Sequence, residues 1–364
     1  MNSLFEYAVK KYVDWRFRKR SPFSIALMVS GTILIAILGL GSLVGAVSYR
    51  EYTVQIFESG SVGSLVLNIV VLVNLVVFAL SFLVLIFQFF SDRKSSSKQQ
   101  IVVVEGRGLR DDDGKSLADS LSADHPASRI PYLLDLRQKM DGKIISPASL
   151  LSKISSMKEA IVQARSGNGR ENTKVAYGGL TAVPLTFLTG VELDDEGEIS
   201  VFDWDRTSES WRQLDELDDN HRLSVPEFED LSSTPQVVLA ISVSYPVLTD
   251  DIRTTFPFPI LEMQLSAMSS NCHWSREKQS ALSDQFFEIA KQLSGAGVEH
   301  IHLILAAPNS VVFNFGRRYD KRNLPELTVY QYERSQDQKY PWGVRMPVGA
   351  KDAASIEEAM HLKI

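Results

Sequence analysis

From Phe187 to Arg206 the chain reads FLTGVELDDEGEISVFDWDR, and from Phe313 to Arg334 it reads FNFGRRYDKRNLPELTVYQYER. Both stretches open on F-x-x-G and close on V-(F/Y)-x-(W/Y)-(D/E)-R. The closing motifs stand 128 residues apart, and the Gly-to-Val gaps are 11 and 13. Ahead of the second copy lies the apolar run Ile301–Ala306 (IHLILA), then Pro308, Asn309 and Ser310; ahead of the first lie Val175–Gly179 and Thr181–Pro184. Each copy therefore predicts strand, small-residue turn, helix, strand, which is an internal repeat. Two such α/β halves can pack as pseudo-symmetric partners, with equivalent turns meeting across one cleft.

Between the copies, Val237–Ser244 (VVLAISVS) predicts a central strand ending in Tyr245 and Pro246. Arg276–Leu293 predicts a long helix, with Leu282, Phe286, Ile289 and Leu293 on one face and Gly295 just after it. Helix, short loop, strand is the unit of a parallel α/β sheet. Ligands of such sheets settle beyond the strands' C-terminal ends, beside helix N-termini. The expected binding positions are thus Gly178, Gly179 and Thr181, then Ser244 and Tyr245, then Pro308, Asn309 and Ser310. Tyr177, Tyr245 and Trp274 are candidates to stack on bases, with core packing as the alternative for each. Arg253, Arg317 and Arg318 are candidate phosphate partners; the last two serve equally as solvated helix-end charges. Trp204 and Tyr332 occupy matching repeat positions and read as structural.

The remainder of the 364 residues divides sharply. Between Arg20 and Arg50 lie 29 residues without a charge, and between Glu58 and Asp92 lie 33. Each run exceeds the ~20 apolar residues that cross a bilayer, so two membrane helices are expected at about 23–49 and 65–90. Residues 1–22 form a basic N-terminal segment, with Lys10, Lys11, Arg16, Arg18, Lys19 and Arg20. The connecting loop holds only Arg50, so both ends are expected in the cytoplasm. Gly41 and Gly45 form a GxxxG pair suited to close helix contact, within one chain or between chains. Asn68 and Asn74 in the second span call for amide partners. Residues 91–173 read as linker and adapter, with a short strand at Ile101–Glu105 and an amphipathic helix at 147–165 capped by Ser146-Pro147. Residues 174–364 read as the α/β domain that holds the repeat.

No motif of phosphate-loop, zinc-protease, serine-hydrolase or dinucleotide type occurs between a strand and a helix, so no catalytic residue and no cofactor is assigned. His300 and His302 share a strand face without metal-ligand company, and a single thiol, Cys272, excludes a cysteine-rich metal site. Cys272 and His273 are neighbours on an extended chain and face opposite ways. Residues 92–364 carry 31 of the 38 Lys and Arg and 40 of the 44 Asp and Glu, so no long nucleic acid is expected as partner.

The segments AYGGLTAVPLTFLTG (176–190), VFDWDR, ISVSYP, HIHLILAAPNSVVFNFGRR (300–318) and VYQYER together resemble a SAVED domain, over about residues 174–347. Two spans ahead of it resemble the transmembrane-SAVED effectors of CBASS anti-phage operons. The resemblance implies two fused CARF-like, Rossmann-type halves that bind a cyclic oligonucleotide, a cyclic di- or trinucleotide made by a partner nucleotidyltransferase. It also implies ligand-induced homo-oligomers that cluster the helices and disrupt the lipid bilayer, killing or arresting the infected cell. A membrane-anchored enzyme and a passive scaffold stand as the alternative classes.

Overall fold

The computed structural model describes residues 27, 29–33, 69, 72–87, 99–109, 115–121, 127–140, 143–144, 146–226, 234–349 and 353–358. The chain divides into two units, Met1–Ser97 and Lys98–Ile364. In the first unit, residues 29–33 and 72–87 are helical. Leu72, Leu83 and Phe87 on the second helix are strongly exposed, and Asn74 there is half-buried. Among the described residues no helix is long and apolar enough to cross a membrane. Gly41, Gly45, Asn68, most of the first expected span and the ends of the second lie outside the described residues.

The second unit is built twice over. Its first half runs β1 (Gln100–Arg107), α1 (Leu117–Ser120), β2 (Ser128–Asp135), the small hairpin β3 (Lys139–Met140) and β4 (Lys143–Ile144), α2 (Pro147–Ser166), β5 (Thr173–Leu180), α3 (Val183–Glu192), β6 (Ile199–Asp205) and β7 (Ser210–Gln213). Its second half runs β8 (Gln236–Ser242), α4 (Thr249–Arg253), β9 (Ile260–Gln264), α5 (Arg276–Gly295), β10 (His300–Ala306), α6 (Asn309–Arg318), β11 (Glu326–Gln331), β12 (Trp342–Arg345) and β13 (Ser355–Glu358). The sheets are ordered β2-β1-β5-β6-β7 and β9-β8-β10-β11-β12-β13. In each, four strands run parallel and the next returns antiparallel. The helices α2 and α5 bury Leu150, Ile154, Met157, Ile161 and Leu282, Phe286, Ile289, Leu293, the same spacing in both.

One boundary differs from the expectation. The segment expected as linker and adapter supplies β1, β2 and α2, so the first α/β half starts at Gln100 rather than 174. The Ile101–Val104 run is buried on both faces because helices cover a parallel sheet on both sides. No repeat motif marks it, since these strands carry only apolar bulk.

The halves meet where α3 crosses α6. A Cβ on Gly190 would stand 2.2 Å from the Phe313 carbonyl oxygen, and one on Gly316 would stand 2.1 Å from that of Phe187. The F-x-x-G motif is therefore a reciprocal crossing: each helix offers its glycine to the carbonyl of the other's phenylalanine. No residue with a side chain permits this approach.

At the opposite end of the second sheet, His300 Nε2 meets Thr328 Oγ1 at 2.9 Å, and His302 sits 3.0 Å from both the Tyr330 hydroxyl and Gln236 Oε1. Both histidines are structural. Burial, with His300 adding to it, pushes the His302 imidazole down to about 3 from its ordinary 6.5. A depressed histidine binds fewer protons folded than unfolded, so its contribution to stability is complete above pH 6.5 and is lost as pH falls toward 3. We expect His302→Gln to flatten the decline of urea-unfolding stability between pH 6.5 and 4 by roughly 1 kcal/mol per pH unit. Parallel slopes for the two proteins would remove His302 from the acid response.

Candidate functional site

The C-terminal ends of the parallel strands of both halves converge on the α3–α6 crossing. The turn after β5 and the start of α6 touch directly: Asn309 Oδ1 accepts from the Thr181 amide at 3.4 Å and from the Thr186 hydroxyl at 2.9 Å. The Thr181 and Thr186 hydroxyls are 2.6 Å apart. Equivalent turns of the repeat thus touch directly, through a buried hydrogen-bonded contact.

Each helix N-terminus is capped from the other half. Ser310 N–H donates to Asp203 Oδ2 at 3.0 Å, and Val183 N–H donates to Gln331 Oε1 at 3.0 Å. Asp203 and Gln331 are the same position of the repeat, the x of V-(F/Y)-x-(W/Y). Side chains at successive strand positions alternate faces, so x shares the face of Val201 and Val329 and reaches the neighbouring helix, while Phe202 and Trp204 pack on the opposite face. Sequence reading missed both residues because x looked free to vary.

The caps differ in charge. Asp203 is buried, and its other oxygen accepts from the Trp204 amide at 2.8 Å. His273 Nε2 lies 3.5 Å from Asp203 Oδ2, and among the described residues neither ring nitrogen of this buried histidine has a partner in good hydrogen-bond geometry. Burial holds its imidazole below the ordinary value, against the opposing pull of Asp203. Ser310 Oγ in turn receives the Gln279 amide at 2.8 Å. At the other helix, the neutral Gln331 leaves the positive end of α3 uncompensated.

A further pair, Gly106 and Gly108 at the end of β1, went unread in the sequence. A Cβ on Gly108 would stand 2.9 Å from Thr181 Cα, so backbone approaches backbone beside the turn after β5. Around the rim, Tyr245 and Arg253 are exposed, and the exposed Tyr332 donates its hydroxyl to Asp251 Oδ2 at 3.2 Å. That exposure sets Tyr332 apart from Trp204, which is buried against Trp211. Gly178 and Gly179 are buried in β5, Pro308 is half-buried, and Ser244 donates to the Ala306 carbonyl at 3.2 Å.

Three expected ligand residues are placed elsewhere. Tyr177 is fully buried, stacked on Phe313 with ring centroids 3.8 Å apart, and burial raises its phenol strongly. Trp274 is buried beneath the Arg212 guanidinium, 4.6 Å from the ring centroid. Both rings join the core because the inter-half interface needs large apolar volume. Arg318 stands at the far end of α6 from Asn309, paired with Asp284 at 2.8 Å and lying over Phe287. A ten-residue helix puts about 15 Å between its ends.

Residues 157–346 match the family model described as the SMODS-associated and fused to various effectors sensor domain, SAVED. The chain belongs to the SAVED family. Residues 2–151 match the SAVED-fused 2TM effector domain. A SAVED sensor domain fused to a two-transmembrane effector domain is the arrangement of transmembrane-SAVED effectors of CBASS defence, as the sequence resemblance implied. The second match places a transmembrane effector in the N-terminal part of the chain. Among curated proteins, no sequence matches this SAVED chain. Among solved structures it is similar to the Acinetobacter baumannii Cap4 SAVED/CARF-domain containing receptor with the cyclic trinucleotide 2'3'3'-cAAA, at 12% identity and a TM-score of 0.45, covering 73% of this chain and 55% of that one. It is also similar to the Moraxella osloensis Cap4 SAVED/CARF-domain containing receptor, at 14% identity and a TM-score of 0.40, covering 62% and 48%. The chain spans about half the length of these structures, and likenesses of this size say nothing of its ligand.

Proposed function

We propose that this SAVED domain binds a cyclic di- or trinucleotide, supplied by a partner nucleotidyltransferase, in the cleft where Thr181 and Asn309 meet. That meeting carries the reading: two like halves present equivalent turns and helix starts at one place, as a ring with repeated phosphates requires. The caps make the cleft unequal. A phosphate is favoured at the α3 start, where the cap is neutral. The Asp203 side suits a base edge that donates hydrogen bonds. Tyr245 and Tyr332 stand on the rim for stacking, worth about 1–3 kcal/mol per base.

The effector step follows from what one chain lacks. Two apolar helices enclose no pore, so a signal at the sensor acts by gathering chains. Binding drives this when the assembled form holds ligand more tightly than the single one. The halves are similar but not identical, so head-to-tail contacts between chains can propagate. Clustered helices in the bacterial inner membrane, with both termini cytoplasmic, then disrupt the bilayer and arrest or kill the infected cell, without catalysis by this chain.

The test titrates the detergent-solubilised full chain with a panel of cyclic di- and trinucleotides, following heat and light scattering. One panel member should bind and raise the scattering. Asn309→Leu should weaken that binding by about a hundredfold, ~2.7 kcal/mol, while the domain stays folded with about 1–3 kcal/mol less stability, because the Thr181 amide and Thr186 hydroxyl lose their acceptor. Unchanged affinity would move the site off the cleft, and binding without growth in scattering would refute clustering.

A further inference from the structure

Between β6, α5 and α6 lies a cavity of about 340 Å³, floored by Ile199, Val201 and Leu214. Arg317 and Arg318 at the C-terminal end of α6 border it, about 15 Å from the strand-end cleft.

The repeat supplies an internal comparison. The repeat motif matches Val201 with Val329, and continuing the β6–β7 register one residue past its end matches Leu214 with Val344. The burial pattern of the helices matches Ser283 with Leu151, and the F-x-x-G motifs match Asn314 with Leu188 and Arg317 with Val191. Around the matched groove, where β11 and β12 of the second half face α2 and α3 of the first, those side chains belong to or pack on the core, and β13 lies against α2 with Ile356 packed on that core too. In the first half, among the described residues, no strand adds to the outer edge of β7. The matched positions are Ser283, Asn314 and Arg317, all lining the cavity. The groove that is filled with hydrocarbon beside β11 is polar and open beside β6.

Its charges are available. Arg317 donates to the carbonyls of Leu193, Glu196 and Gly197, and among the described residues it has no carboxylate within ion-pair distance. Arg276 pairs with Glu198 and Arg318 with Asp284, each at 2.8 Å, through side chains at least 43% exposed. Exposed pairs of this kind are worth about 0–1 kcal/mol, so an incoming anion can displace the carboxylates. Three guanidiniums then face it across an apolar floor.

We propose that this cavity is a second ligand site, taking a small organic anion whose phosphate or carboxylate meets Arg317 and whose apolar body lies on Ile199 and Val201. The volume falls at the small end of ligand pockets. Since β6 belongs to one half and α5 and α6 to the other, the occupant bridges the halves.

The full chain in detergent is titrated with phenyl phosphate, benzoate and inorganic phosphate. Phenyl phosphate or benzoate should saturate one site, about tenfold more tightly than inorganic phosphate. Whichever of the two saturates identifies the anion the site takes. The double variant Ser283→Leu/Asn314→Leu installs the side chains of the matched groove and should weaken that binding at least about tenfold, ~1.4 kcal/mol. Asn309→Leu should leave it unchanged. Should the double variant fail to fold, Arg318→Ser is measured instead and should weaken binding about threefold. No saturation by either aryl anion up to ~10 mM, inorganic phosphate binding as tightly as both, or retention in the double variant (in Arg318→Ser, if that replaces it) would each overturn the site. Loss in Asn309→Leu would assign the binding to the strand-end cleft.

Discussion

Gly316→Ala should cost this protein about 3 kcal/mol or more of stability, seen as a fall of about 10 °C in the sensor domain's unfolding temperature. The new methyl group would stand 2.1 Å from the Phe187 carbonyl oxygen and 3.2 Å from Gly190 Cα. Neither atom belongs to a side chain that can turn aside, so α3 and α6 must separate by about an ångström. That opens the contact on which Phe187, Phe313 and Tyr177 are packed, and cavity cost adds to overpacking. Gly190→Ala should behave alike, because the crossing is reciprocal. Gly295→Ala is the control: nothing lies within 4 Å of its added Cβ, so that change should stay within about 0.5 kcal/mol. A Gly316 variant as stable as the Gly295 variant would mean that the helices do not cross this closely.

The second large effect belongs to Asp203. Asp203→Ala should destabilise by about 2–4 kcal/mol, because it strips the partner from the Ser310 and Trp204 amides inside the inter-half interface. Asp203→Asn keeps an acceptor for Ser310 and should cost about 1 kcal/mol or less. Gln331→Ala, the matched change, removes a half-buried cap from Val183 and should cost about 1 kcal/mol. Equal losses for Asp203→Ala and Gln331→Ala in chemical unfolding would show that burial of the first cap adds nothing. The two alanine variants should also differ in ligand response, because only Asp203→Ala removes negative charge from the cleft.

Part of this was legible in the chain itself. Two uncharged runs of 29 and 33 residues state a membrane-directed segment, since each outlasts a bilayer crossing and nothing else in the sequence does. The F-x-x-G and V-(F/Y)-x-(W/Y) repeats announced two like α/β halves, because glycine and alternating apolar residues recur wherever the same packing recurs. The turns at Thr181 and Asn309 were legible for a related reason: small and polar residues between a buried strand and a helix have few other uses. The helices expected from spacing at 147–165 and 276–293 run from Pro147 to Ser166 and from Arg276 to Gly295.

The rest was decided by contacts distant in sequence. That β1 and β2 join the first sheet depends on pairing with β5 across 73 residues, and a purely apolar strand carries no signal of its neighbour. Tyr177 and Trp274 have the side chains of base-stacking residues, and only the packing of the halves sent them into the core. Arg318 reads as a phosphate partner until the helix fixes it at the end away from Asn309. Asp203 and Gln331 became caps because strand alternation points them at the other half's helix, a relation that exists only once both halves are folded against each other. Sequence determined the local elements and their duplication, which depend on neighbours a few residues away. The cleft, its unequal caps and the second cavity depend on which half covers which, and only the tertiary structure decides that.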